Sequence, residues 1–301
     1  MAKDQRYDNS LILLTLIKFA GIGPRQMSAL LQCYGDPGSI LQADRTSLSA
    51  IEGMTPDLVE SIKGSDAFLE DAAKYRTDLK QRDIAIHTCL NDDFPPLLLE
   101  LNDPPPLLYI RGRLPDRTKK SVAIVGAEEA TNQGIDLTVT MARRSAEAGV
   151  EVVSSLRRGI DAAAHIGAKA GGGVSFAVVS GGFDHIDLTE QMPLAIDIAR
   201  TGGVISEYSP DAEPDTDTYR ACNRILVGLA QAVVITEVYK DSVTTLDLLS
   251  FCNETGKLTF ILIDPRNGAL ADKDSLSEAV RCGAIPMVGL DKINDILDAL
   301  V

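Results

Sequence analysis

Ser121-Val122-Ala123-Ile124-Val125-Gly126 and Val150-Glu151-Val152-Val153-Ser154-Ser155, separated by a helical stretch over about Gly134–Ala148, decide the fold of this 301-residue chain. Each is a short run rich in β-branched residues that closes on a glycine or serine turn, with candidate strands at Val122–Val125 and Val150–Val153. The alternation continues to the end of the chain. Further strands are expected at Phe176–Val179, Val204–Glu207, Val233–Glu237 and Thr259–Ile263, with a late one near Ile285–Val288. Between them, Ile160–Ala170, Glu190–Ala199, Asn223–Ala230, Thr244–Thr255 and Ser275–Cys282 read as helices. Short buried strands alternating with helices make a mostly parallel sheet, doubly wound. Residues 121–301 are therefore expected to form one α/β domain of Rossmann-like architecture.

Upstream the period changes. Residues 1–75 read as a small helical domain, in which Leu11, Leu14 and Ile17 begin an apolar helical face. Ala20-Gly21-Ile22-Gly23-Pro24 then makes a turn that opens a second helix, with Pro24 near its first position. A weaker echo follows at Ile51-Glu52-Gly53-Met54-Thr55-Pro56. Two such units resemble a helix-hairpin-helix (SAM-like) pair, whose backbone amides hold DNA phosphates without reading sequence. The second unit lacks the second glycine, and a bundle that only packs is the alternative. Residues 76–120 read as an extended connector, with a short strand at Ile84–Ile86 and proline-punctuated apolar segments at Asp92–Leu99 and Asp103–Tyr109.

Composition narrows the class. With 45% hydrophobic and 24% charged residues the chain is globular. No apolar run is long enough to span a bilayer, and the charged start followed by the short run Leu11–Ile17 does not make a secretory signal. A cytoplasmic protein is expected. The five cysteines (Cys33, Cys89, Cys222, Cys252, Cys282) form no close pair and the three histidines are scattered, so neither disulfides nor a metal centre is expected. The net charge is −14, and its distribution is uneven: 15 basic against 17 acidic residues up to residue 120, then 14 against 26. An acidic domain repels nucleic acid at long range, which weighs against nonspecific DNA binding by the α/β half.

Ligands of open parallel sheets sit beyond the carboxyl ends of the strands, so the strand-to-helix loops are where function is read. The first, Val125-Gly126-Ala127-Glu128, has one glycine and no dinucleotide fingerprint. The second, Ser154-Ser155-Leu156-Arg157-Arg158-Gly159-Ile160-Asp161, sets two arginines beside a helix start, a plausible phosphate site. The third carries Gly181-Gly182, where a ligand can approach the backbone closely. The loop over Asp241–Thr245 brings the hydroxyls of Thr244 and Thr245 to a helix start. Each loop taken alone also reads as a turn and a cap.

These residues resemble the DprA/Smf family. Ser121–Gly126 with Thr131 and Gly134 looks like the opening of its Rossmann domain. Leu156-Arg157-Arg158-Gly159-Ile160-Asp161 running to Ala164-His165 is similar to its Ala-Arg-Gly-Ile-Asp motif. Ile205-Ser206-Glu207-Tyr208, Asn223-Arg224-Ile225 with Gly228-Leu229, Thr244-Thr245, and the connector's Asp93-Phe94-Pro95 and Arg111-Gly112 match in order and spacing. The resemblance implies a single-stranded-DNA-binding protein, usually a homodimer, that loads a RecA-type recombinase during natural transformation, without enzymatic turnover or cofactor. Carried over residue by residue, the DNA or phosphate contacts are Gly126, Arg157, Arg158, Gly159, Gly181, Gly182, Arg220, Asn223, Arg224, Thr244 and Thr245, with Phe183 and Tyr219 as stacking platforms. Steep salt dependence is expected. As the chain runs to Val301, a member without a C-terminal winged helix is expected.

Departures from the family pattern are specific. Gly126-Ala127-Glu128 stands where the family has Gly-Ser-Arg, a charge reversal that repels phosphate. Tyr219-Arg220-Ala221-Cys222-Asn223-Arg224 replaces Phe-Pro-Arg-Arg-Asn-Arg, and Lys240-Asp241 replaces Ser-Gly. Other constellations are weighed structurally first. Asp161 and His165 lie one turn apart, as an aspartate holding a histidine or as an acid–base dyad. Glu207 and Glu237 end two strands and are expected to point at the cleft. Asp184-His185-Ile186-Asp187 is too small a basis for a metal site, and Asp211–Asp217 reads as a solvated loop. Two rival functions remain: a nucleotide sensor or nucleotide-processing enzyme on the same scaffold, and a structural partner in a defence-type assembly.

Overall fold

The computed structural model describes residues 7–239, 243–264, 268–269 and 273–290, with backbone alone for 243–246 and 268–269. The chain divides into two compact units: residues up to Phe94 together with Leu99–Tyr109, and Pro95–Leu98 together with the chain from Ile110 onward.

The first unit is helical because its sequence is punctuated by caps. Asp8, Asp36, Asp44 and Thr55 each accept a backbone N–H from the first turn of α1 (Asn9–Leu14), α3 (Pro37–Gln42), α4 (Arg45–Ser49) and α5 (Pro56–Gly64). Between α1 and α2 (Pro24–Tyr34) the helix widens into a π turn over Thr15–Phe19. That turn breaks the expected stripe: Leu11, Leu13, Leu14 and Leu16 are all buried, while Ile17 is partly exposed. Leu13, Leu16, Ile22, Met27, Leu30, Ile40, Leu48, Val59 and Ile62 share one core. Gln26 lies between Gly23 and Gly53, so the two glycine turns sit side by side. A longer helix, α6 (Leu69–Gln81), leads to β1 (Ala85–Thr88). The proline-punctuated segments are more structured than an extended linker: they form the short helix α7 (Pro96–Leu99) and β2 (Leu107–Gly112). Leu107–Ile110 of β2 are buried on both alternating sides, as in an interior strand.

The second unit is built on a parallel sheet. Its strands are β3 (Ser121–Val125), β4 (Glu151–Ser155), β5 (Ser175–Val178), β6 (Gly203–Ser206), β7 (Ala232–Ile235), β8 (Leu258–Asp264) and β10 (Ile285–Val288). They lie in the order β6-β5-β4-β3-β7-β8-β10, every neighbouring pair parallel. A two-residue strand, β9 (Gly268–Ala269), runs antiparallel to β8. The strands from β3 to β7 are buried at every position, which is why they read as unbroken apolar runs. Helices α8 (Asn132–Glu147) and α9 (Ile160–Ala170) cover the face carrying Val122, Ile124, Val152 and Val234. The alternate residues Ala123, Val125, Val153 and Val233 are equally buried, and α11 (Thr216–Leu229) touches β3, β4 and β5. The remaining helices are α10 (Met192–Ala199), α12 (Val243–Glu254) and α13 (Lys273–Arg281).

Two features position the site. The winding direction reverses between β3 and β7, the switch point of the sheet. And α11 begins nearly two turns before the expected Asn223, because Asp215 and Thr218 close a reciprocal capping box. That extension carries Tyr219 and Arg220 on a helix rather than a loop.

Candidate nucleic-acid interface

Beyond the carboxyl ends of β4 and β5 lies a hollow lined by Ser155–Arg157, Val178–Gly182, His185, Ile186, Gln191, Pro214, Tyr219, Cys222 and Asn223. Its volume is about 90 Å³. Of the residues expected at the site, the fold brings Arg157, Gly181, Gly182 and Asn223 together here, with Tyr219 at 37% exposure. Gly182 is required by close packing against the chain: a Cβ there would collide with the carbonyls of Ser209 and Pro210. The glycine pair thus seats the Ser209–Pro214 loop that forms one wall.

The arginines divide into two kinds. Arg157 is an internal cation: Nε and Nη2 donate to Asp161 Oδ2 at 3.2 and 3.0 Å, and Glu128 lies 3.6 Å away. Asp161 is fully buried and also accepts from the Ser155 hydroxyl and from Gly126 N–H at 3.0 Å. Glu128 shares Arg157 with the closer Asp161, so the three side chains keep one net negative charge. Arg224 is buried with Glu207 in a short ion pair, their side chains only 5% and 7% exposed, so it does not face solvent as an expected contact would. Burial of a guanidinium demands this partner. Arg158 and Arg220 are the outward pair, 61% and 57% exposed, near Glu129 at 3.8 Å and Asp247 at 3.6 Å. Such loose exposed pairs are worth little and exchange readily.

Several readings change in three dimensions. Glu207 and Glu237 do not point at the hollow: the first pairs with Arg224, and the second accepts Thr131 N–H and Oγ–H at the start of α8. Asp161 does not hold His165, whose Nε2 bonds the Ser155 carbonyl at 2.9 Å. Burial pushes the His165 imidazole down to about 4, so it is neutral. Phe183 is 1% exposed with the Arg111 guanidinium 5.2 Å from its ring centroid, so its faces are not offered to a base. Burial pushes the Cys222 thiol up to about 12, far from a thiolate nucleophile. Gly126 faces Ile160 and the Glu237 carbonyl, and Gly159 (φ +75°) caps α9 where a Cβ would collide with the carbonyls of Ala127 and Glu128. Thr244 and Thr245 lie in the first turn of α12; their side chains fall outside the described residues. Asp187 binds the N–H groups of Thr189 and Glu190, which hold its carboxyl below the usual range. Among the described residues no cluster of metal-ligating side chains forms, and no helix is long and apolar enough to cross a membrane.

A parallel sheet with a hollow at its strand ends and a winding reversal between β3 and β7 defines a Rossmann-like α/β protein. Residues 85–297 match the family described as DNA recombination-mediator protein A, and residues 13–64 match the SAM-like helix-hairpin-helix tandem. The chain belongs to that family, DprA/Smf. It is 30% identical to protein Smf of Synechocystis over 246 residues, 80% of this chain and 61% of that protein. It is 34% identical to DNA processing protein DprA of Streptococcus pneumoniae over 148 residues, 49% of this chain and 52% of that one. The chain therefore spans less than two thirds of these relatives' lengths. The crystal structure of DprA from S. pneumoniae superposes with a TM-score of 0.77 at 25% identity, covering 99% of both chains. DNA processing protein A from Helicobacter pylori, whose structure describes a single-stranded-DNA binding mode, gives 0.59 at 25% identity over 71% of this chain and 95% of that one.

Proposed function

We propose that this chain binds single-stranded DNA at the β4/β5 strand ends and acts in DNA uptake and recombination by delivering the strand to a RecA-type recombinase, as a non-enzymatic homodimer. The observation that carries this is the hollow itself: an open cleft at the β4/β5 strand ends whose lining includes the partly exposed ring of Tyr219. It lies in a chain whose relative in H. pylori has a described single-stranded-DNA binding mode. Arg158 and Arg220 supply the phosphate contacts, since an approaching phosphate displaces only loose exposed carboxylates. Arg157, Gly126 and Gly159 shape the loop that presents Arg158, and Thr244 and Thr245 serve from the α12 start. Tyr219 is the stacking surface. The non-enzymatic reading draws on Glu207, Glu237 and Cys222, none of which offers a reactive group to the hollow. The homodimer draws on Val280, Ile285 and Val288, exposed apolar side chains on α13 and the outer strand β10.

The test is fluorescence anisotropy with labelled oligo-dT at low and moderate salt, with duplex DNA and mononucleotides as competitors. Binding that neither competitor displaces is expected, weakened about tenfold or more by Arg158→Glu, since losing a charge-assisted phosphate contact costs of order 1.5–3 kcal/mol. Absence of binding at low salt sinks the proposal. Displacement by mononucleotides favours the second reading, a nucleotide sensor, which the small size of the hollow also suits.

A further inference from the structure

Two strands, β4 and β3, separate the hollow from the crevice where an open α/β sheet binds its ligand. Winding reverses between β3 and β7, and there α8, a 16-residue helix, begins. The crevice at such a reversal, with a helix N-terminus pointing into it, is where phosphate groups settle. Here the Gly134 N–H is taken by the Thr131 hydroxyl at 3.0 Å, and the Thr131 N–H by Glu237. Glu237, 1% exposed just beyond β7, accepts Thr131 N–H on both carboxylate oxygens at 3.2 and 3.1 Å and Thr131 Oγ–H at 3.2 Å. The Tyr239 hydroxyl donates to the same carboxylate. The carboxylate lies so close to the first turn of α8 that a Cβ at Gly134 would collide with it. Ala127 N–H donates to the Glu237 carbonyl at 2.9 Å, and Gly126 N–H is used by Asp161.

We propose that Glu237 is an internal anion that occupies the amide site at the start of α8 and excludes phosphate from the β3/β7 crevice, so that the charged groups of any ligand are directed to the β4/β5 strand ends. A full negative charge there satisfies the helix start as a phosphate would, and a second anion brought beside it is repelled. Glu237 is in this sense a specificity-determining residue that contacts no ligand. The inference holds whatever the β4/β5 hollow binds.

Inorganic phosphate titrated into ¹⁵N-labelled protein at constant ionic strength tests it without any DNA. In the wild type the Thr131 amide resonance is expected to stay put. In Glu237→Ala the amides of Thr131 and Gly134 are expected to shift saturably, with phosphate bound roughly tenfold or more tightly than in the wild type because the repelling charge at the helix start is gone. Circular dichroism and spectral dispersion report whether the variant is folded; Glu237→Gln, which removes the charge and keeps the length of the side chain, is read the same way should Glu237→Ala not fold. A phosphate-induced shift of Thr131 in the wild type overturns the proposal by itself. So does a folded variant whose Thr131 amide ignores phosphate.

Discussion

A guanidinium taken out of water needs a carboxylate beside it, and that requirement sorts the arginines of this chain. Arg224 is held by Glu207 inside the protein, so its truncation removes the cation that compensates a buried carboxylate. Arg224→Met is expected to lower the unfolding free energy by about 3 to 5 kcal/mol, read by urea denaturation; Arg158→Met, at an exposed site, is expected to change it little. His165 gives a pH prediction. Its folded pKa is pushed down to about 4 by burial, below the ordinary 6.5. Between those values the unfolded chain holds a proton that the folded one does not, so stability is full above about pH 6.5 and falls as pH drops towards 4. The loss reaches of order 3 kcal/mol, and His165→Asn is expected to flatten that part of a stability–pH profile. At this scale the sequence displayed which residues carry charge but not their partners. Arg157 precedes α9 and meets Asp161 of its first turn, a local pairing hidden by reading Asp161 with His165. Arg224 and Glu207 are 17 positions apart in the chain and come together only through the sheet.

At the scale of elements, the strands from β3 to β7 were legible to within a residue or two because burial on both faces leaves an unbroken apolar run, whereas β2, in a proline-punctuated segment, read as connector. Helix starts were harder. The beginning of α11 lies in the acidic run Asp211–Asp217, which reads as a loop by composition. Its signal was the Asp215-x-x-Thr218 spacing, in which Asp215 Oδ1 accepts Thr218 N–H at 2.8 Å and Thr218 Oγ accepts Asp215 N–H at 2.7 Å. Asp215→Ala is expected to cost about 1 kcal/mol, measured as a lower midpoint in thermal unfolding. The variant is also expected to loosen the turn presenting Tyr219 and Arg220, visible as faster amide hydrogen exchange in that turn. The π turn at Thr15–Phe19 had no sequence signal, since one extra residue in a helix changes which side chains face inward without changing their types.

For the molecule as a whole, a net charge of −14 opposes long-range attraction of DNA, and most of the excess lies after residue 120. The structure adds that Arg157 and Arg224 are committed internally, leaving Arg158 and Arg220 as the outward cations of the expected set. If these two alone meet phosphates, the logarithm of oligo-dT affinity is expected to fall with the logarithm of salt at a slope of only about −1.4 per protomer. That is shallower than the residue types suggested. The sequence by itself determined the order of strands and helices, the parallel sheet and the family, because periodicity, turn residues and motif spacing are local and survive one-dimensional reading. Which carboxylate meets which cation, which aromatic stays exposed and which helix start is already occupied were decided only by tertiary structure. Those are contacts between strand ends that lie far apart in the chain, and low-dielectric pairing makes each of them the difference between a ligand contact and an internal brace.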